Sequence, residues 1–210
     1  MKNKTNNIIE KATTLFMQHG LHPVSMDDIA SCSGISKKTL YSNFKSKEML
    51  VETIVQKLIL RTGKYLRLCK EISPNAVKEM ENFSGHMLDL PGILTPRFTR
   101  DLKKYYPGIY NQLIVFKDNS VVPYLERCLD RGITEEIFRP GINKRNTGWL
   151  YCRQIQNVLE GNTSQADVNR IIENANDLFL HGILNSKGLR LLSMNKQNER
   201  AGQKEKAGIG

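Results

Sequence analysis

The stretch 29–48, IASCSGISKKTLYSNFKSKE, interrupts what would otherwise be one helix with a glycine, Gly34. Glycine permits the left-handed backbone of a sharp turn. Apolar residues flank it at helical spacing: Ile29 and Ala30 before, Ile35, Leu40 and Phe44 after. Leu40 and Phe44, four residues apart, share one helix face. Ala30, small and four residues before Gly34, lets two helices approach closely. The pattern predicts two short helices crossing at a turn, a helix-turn-helix. Lys37, Lys38, Tyr41, Ser42 and Lys45 then lie off the packed face. Such a polar, cationic surface suits a helix lying in a DNA major groove.

The remainder also reads as helix, with no alternating strand and no Asn-Gly or Asp-Gly hairpin signal. A first helix is expected over about 5–18, with Ile8, Ala12, Leu15, Phe16 and His19 on one face and Gly20 closing it. Ser25, with Asp28 three residues on, reads as a capping box opening the second helix. Ser36 can cap the third, 37 to about 44, and Ser46 a long fourth to about 68. Pro74 and Pro96 follow Ser73 and Thr95, the pattern of new helix starts. A helix over 108–130 is expected to kink at Pro123. RGITEEIFRPGINKRN reads as a loop or turn, followed by helices over about 144–160 and 165–184. The expected division is 1–46 for DNA binding, 47–188 for a helical effector-binding and dimerisation domain, and 189–210 for a polar, disordered tail.

A net charge of +10 over 210 residues favours an anionic partner, nucleic acid or acidic membrane. The charge gathers around a turn rather than along an amphipathic helix, which argues against a membrane surface. No apolar run approaches the ~18–20 residues of a membrane span. The basic N-terminus has no apolar core of a secretory signal, so the expected location is cytoplasmic. Cys32, Cys69, Cys128 and Cys152 are widely spaced and read as buried, reduced thiols. His19 and His22 have no acidic or cysteine ligand nearby in sequence, and neither a metal nor a cofactor is implied. No Ser/His/Asp set, Gly-rich phosphate loop or HExxH motif is present, so an enzyme is not expected.

Around the turn, the start of the fourth helix offers free N–H groups flanked by Lys45 and Lys47, a seat for phosphate. Candidate base or near-base contacts are Lys37, Lys38, Thr39 and Ser42; candidate phosphate contacts are Tyr41, Lys47 and Ser25. The plain alternatives are a solvated lysine face, a core position for Tyr41 and a purely capping role for Ser25 and Ser36.

The string MDDIASCSGISKKTLYSNFKSKEML, with LFMQHG upstream, resembles the N-terminal signature of TetR-family transcriptional regulators over about 8–50. DLFLHGIL followed by SKG is similar to the final helix of many members, and Val24 departs from a common Thr. The resemblance implies an all-α fold: a three-helix DNA-binding domain joined by a long helix to a larger helical domain. It implies a homodimer on a palindromic double-stranded operator and a repressor released by a small-molecule effector. Recognition helices would then lie about 34–36 Å apart. The implied dimer interface is a bundle of the last two long helices, with Trp149, Ile155, Ile171, Leu178 and Phe179 as candidates. Candidate effector-pocket residues are Phe83, His86, Met87, Tyr110, Phe116, Cys152 and Gln156, apolar groups with a few polar ones. Aromatic and Met residues at this spacing also fit an ordinary core. PGILTPRFTRDLKKYYPGIY reads as a mobile gate or a surface loop. The competing reading is a DNA-coating protein of the same fold with no inducer.

Overall fold

The computed structural model describes residues 2–207. Among these residues it is all-α, with α1 Lys2–His19, α2 Met26–Cys32, α3 Lys37–Asn43, α4 Lys47–Ile72, α5 Ala76–Asp89, α6 Pro96–Tyr105, α7 Pro107–Phe116, α8 Val122–Thr134, α9 Lys144–Glu160, α10 Gln165–Ile183 and α11 Ser186–Ala207. The nearest thing to a sheet is one antiparallel bridge between Phe138 and Leu184. None of these helices is long and apolar enough to cross a membrane.

The first helices begin where the serines stand. The hydroxyl oxygens of Ser25, Ser36 and Ser46 accept from the backbone N–H of Asp28, Thr39 and Met49. Each such cap is worth about 1 kcal/mol. Gly34 turns the chain at φ +64°, and Ile35 N–H closes the turn on the Ala30 carbonyl at 3.1 Å. Phe16, Leu21, Ile29, Leu40 and Leu50 are fully buried together, joining α1–α3 to the first turns of α4. Burial of each contributes about 1.5–3 kcal/mol. The 26 residues of α4 span roughly 39 Å, long enough to reach from this cluster into the larger helical body.

Helix α7 runs into α8 through a single wide turn, Lys117–Val121, in which Val122 N–H reaches the Lys117 carbonyl. Pro123 has no N–H for the regular ladder. The distortion expected at Pro123 is therefore met by a π turn just upstream. Helix α8 extends to Thr134, beyond the expected start of a loop. It can do so because Gly132 leaves room for Phe138. A Cβ at Gly132 would lie 2.1 Å from the Phe138 ring.

The expected disordered tail is instead the helix α11 as far as Ala207, while 208–210 lie outside the described residues. Its start is fixed by Asn185, whose Oδ1 accepts from the N–H of Lys187 and Gly188 at 2.9 and 3.0 Å. Leu192 is then buried, and Asn195 donates to Glu81 at 2.7 Å. Sparse apolar residues concealed this anchoring from a periodicity reading. The PGILTPRFTRDLKKYYPGIY segment is likewise not a loop: after a short 3₁₀ turn it is α6 and the start of α7. Thr95 caps α6, and Pro96 occupies its first turn.

Candidate nucleic-acid interface and internal cavity

Helix α3 packs inward through Leu40 and leaves Lys37, Lys38, Tyr41 and Ser42 exposed. Tyr41 is 47% exposed, which removes it from the core. Its hydroxyl and the ammoniums of Lys38 and Lys45 have no hydrogen-bond or ion-pair partner among the described residues. Lys45 belongs with the exposed group, although only Lys47 of the flanking pair was a candidate. The other candidates have internal partners. Lys37 is paired with Asp27 at 2.6 Å. Thr39 is half-buried, its hydroxyl 2.9 Å from that of Ser36. Ser42 donates to the Thr39 carbonyl at 2.8 Å. Ser25 and Asp28 complete a reciprocal capping box, and the hydrogen bonds from Ser25 hold the Asp28 carboxyl below its usual range.

Lys47 is turned inward. Its ammonium donates to the carbonyls of Leu21 and His22 and lies 5.9 Å from the Phe16 ring centroid. Burial pushes its pKa down, with Asp101 and Asp28 opposing that shift. The side chain fastens α4 to the α1–α2 turn. Cys32 is exposed, unlike the other three cysteines.

That turn is also held from the larger body. The Asp101 carboxylate on α6 accepts from Leu21 N–H at 2.7 Å and His22 N–H at 3.1 Å. Gly20, at φ +86°, makes the approach possible, since a Cβ there would sit 2.6 Å from the same carboxylate oxygen. His22 stacks on Tyr105 with centroids 4.7 Å apart. Other side chains of α6 reach α9 and its end: Lys103 bonds Glu160, and Arg100 bonds the Gly161 carbonyl.

Behind α6 lies a cavity of about 120 Å³, walled by α4, α5, α6, α7, α9 and the π turn. Met87, Tyr110, Phe116, Cys152 and Gln156 line it. Two other pocket candidates do not. Phe83 is fully buried against Tyr124 and Tyr151, their ring centroids 5.4 and 5.8 Å away. His86 stacks on Tyr65 at 4.1 Å and faces the Thr62 hydroxyl. Burial pushes its pKa down and favours the neutral ring.

The polar end of the cavity was missed because no local pattern marks it. Glu160 receives hydrogen bonds from Lys103, Tyr110 and Gln156. Burial raises its pKa, but those hydrogen bonds outweigh it and hold the carboxyl below its ordinary value. Burial and the bond to Glu160 push the Tyr110 phenol up. Lys117 donates to Gln156 Oε1 at 2.9 Å and pairs with Asp118 at 3.2 Å. Thr99, buried on α6, also lines the cavity; its hydroxyl oxygen is itself buried and has no hydrogen-bond partner among the described residues.

On the outer faces of α9 and α10, Trp149 and Leu178 are 47% and 71% exposed. Ile171 is half-buried, and Phe179 packs on Tyr151 with centroids 4.5 Å apart. Ile155, expected at the interface, is buried and lines the cavity, because its side of α9 faces the subunit interior.

Residues 8–54 match the family model described as bacterial regulatory proteins, tetR family. Over 113 residues the chain is 30% identical to a "Biofilm operon icaADBC HTH-type negative transcriptional regulator IcaR" of Staphylococcus aureus (strain Newman), covering 54% of this chain and 53% of that protein. The chain thus spans about half the length of this curated relative. A TetR-family transcriptional regulator from Agrobacterium tumefaciens superposes with TM-score 0.70 at 16% identity, covering 88% of this chain and 99% of that one. The structure titled "SmeT-Triclosan complex" superposes with TM-score 0.63 at 17% identity, covering 88% and 93%. These structural likenesses establish the fold.

Proposed function

We propose that this chain, whose residues 8–54 match the tetR-family model, is a DNA-binding transcriptional repressor whose hold on its operator is weakened by a small molecule. The observation that carries this reading is the outward face of α3 and the α3–α4 junction. There Lys38, Tyr41 and Lys45 are exposed, with no hydrogen-bond partner among the described residues, beside a capped helix start. An exposed, unspent cation can exchange counterions for phosphate. Lys38, with Lys37, Thr39 and Ser42, is the candidate for reading base edges. Tyr41, Lys45, Ser25 and the free N–H groups at the start of α4 are candidates for holding phosphate. Lys47 contributes by fixing the α1–α2 turn, since its ammonium is already spent on two carbonyls.

The protein would act as a homodimer on a palindrome, with Trp149 and Leu178 supplying exposed apolar area on α9 and α10. Release would operate through α6 and α4. Helix α6 has Thr99 at the cavity and Asp101 on the α1–α2 turn, within two residues. A ligand that favours a different α6 position would alter the support under that turn and shift the population toward a weakly binding form. The cavity favours this reading over a DNA-coating role with no inducer. The reading is tested by selecting bound duplexes from a random pool and footprinting the winner. A protected palindrome with half-sites about one helical turn apart supports it. Enrichment of no sequence, with protection growing along the whole duplex, overturns it.

A further inference from the structure

On the flank of the helical body an open groove of about 1190 Å³ lies between the last turns of α4 and α8, closed by residues 142–145. It has room for a ligand of ordinary size, since small-molecule sites run to roughly 300–1,000 Å³. It shares no lining residue with the cavity behind α6. Arg67 stands twenty residues beyond Lys47 on α4, roughly 30 Å along the helix, so the groove does not continue the operator-facing surface.

Six cations and four carboxylates line this groove. Three of the cations are spent within the protein: Lys144 pairs with Asp130, Arg145 lies 4.0 Å from Glu126, and Arg131 is 2.7 Å from Glu79. Arg67 and Lys70 on α4 and Arg127 on α8 are exposed, with no hydrogen-bond or ion-pair partner among the described residues. Glu71 is unpartnered in the same sense, and three such cations against one such carboxylate leave an excess of two positive charges. Arg131 adds fixed donors. Its Nε bonds Glu135, and its two terminal nitrogens bond Glu79 and the Ser73 carbonyl. A guanidinium has five N–H groups, so two remain without an acceptor among the described residues. The charge of Glu135 is turned to the start of α5, where it accepts from Ala76 N–H at 2.8 Å.

This set calls for an anion with several acceptor oxygens. A phosphate monoester has three and carries about −1.5 to −2 at neutral pH, and arginine forks match it in geometry. A carboxylate brings two oxygens and one charge. Leu66, Pro123 and Ile142 add apolar wall beside the cations. We propose that the groove binds a small phosphate monoester with an apolar body, its phosphate held by Arg67, Lys70 and Arg127 and by the spare N–H groups of Arg131. The proposal does not depend on the cavity being an effector site.

The test titrates phenyl phosphate, phenyl sulfate and inorganic phosphate into the full chain by calorimetry at fixed ionic strength. Wild type should bind one phenyl phosphate per chain, about tenfold tighter than phenyl sulfate, which keeps the shape but carries a single charge. Inorganic phosphate should bind several-fold more weakly than phenyl phosphate, because it buries no apolar area. Arg67→Gln and Arg127→Gln should each weaken phenyl phosphate about tenfold. Arg61→Gln, which removes the same charge from an exposed position of α4 outside the groove, should leave its affinity unchanged. Non-saturable binding, equal affinity for phenyl sulfate or inorganic phosphate, or an Arg61→Gln loss as large as that of Arg67→Gln overturns the proposal. Displacement of phenyl phosphate by a scrambled duplex also overturns it and assigns the groove to a nucleic-acid backbone.

Discussion

The start and the middle of the long helix α4 lie beside polar side chains used in opposite ways. At its start, Lys38, Lys45 and Tyr41 stand exposed and unspent. Toward its middle, the cavity lined by Leu58, Ile59 and Thr62 has its edge charges paired internally. The first arrangement suits a polyanion, which brings its own countercharge. The second suits a neutral guest, because any charge brought inside would lack a partner. The two are bridged by α6, whose Asp101 grips the α1–α2 turn while Thr99 lines the cavity.

The contrast can be broken from the DNA end first. Lys38→Ala should lower operator affinity by about 1–3 kcal/mol and change the preferred sequence, read by fluorescence anisotropy on the selected duplex and its single-base variants. Gly34→Ala should cost about 1–2 kcal/mol of stability in urea unfolding, through left-handed backbone strain. Nothing lies within 4 Å of the added Cβ, so packing adds little to that cost. Asp101→Asn tests the bridge. The amide oxygen can still accept both backbone N–H bonds, which fall on one carboxylate oxygen, but the charge beside Lys47 is lost, so operator affinity should fall a few-fold, about 1 kcal/mol. The smallest expected effect is that of pH on the cavity edge. The Glu160 carboxyl sits below its ordinary value of 4.5 when folded. In that window the unfolded chain binds more protons, so stability rises with pH. The contribution is full above about 4.5 and is lost as pH falls through the folded value. Glu160→Gln should flatten the acid limb of a plot of Tm against pH.

The same contrast explains what could be read in advance. Everything that specifies the turn lies within about 25 residues: two caps, one glycine and the Leu40–Phe44 pair. Local chemistry settles it, and the family match at 8–54 covers the same stretch. What could not be read there was the direction of a flexible side chain, as with Lys47, which turns inward to carbonyls in another element. The cavity is assembled from residues between Leu58 and Glu160, so no local period marks it. Met87 faces it while neighbouring His86 stacks on Tyr65. Phe83, one turn from Met87, is enclosed by Tyr124 and Tyr151. Thr99 carried no signal at all, since an ordinary helical threonine becomes notable only when its hydroxyl is found buried and unpaired.

The most direct test of the central claim is the salt dependence of binding to the selected operator and to a scrambled duplex of equal length. For wild type, the operator should bind at least a thousandfold tighter than the scrambled duplex at physiological salt. Lys45→Ala should reduce the slope of log K against log salt by about one on both duplexes, and Lys47→Ala should leave the slope unchanged. Equal affinity for the two duplexes, or a slope that Lys47→Ala reduces and Lys45→Ala does not, would contradict the assignment of the exposed α3–α4 face as the operator-binding surface.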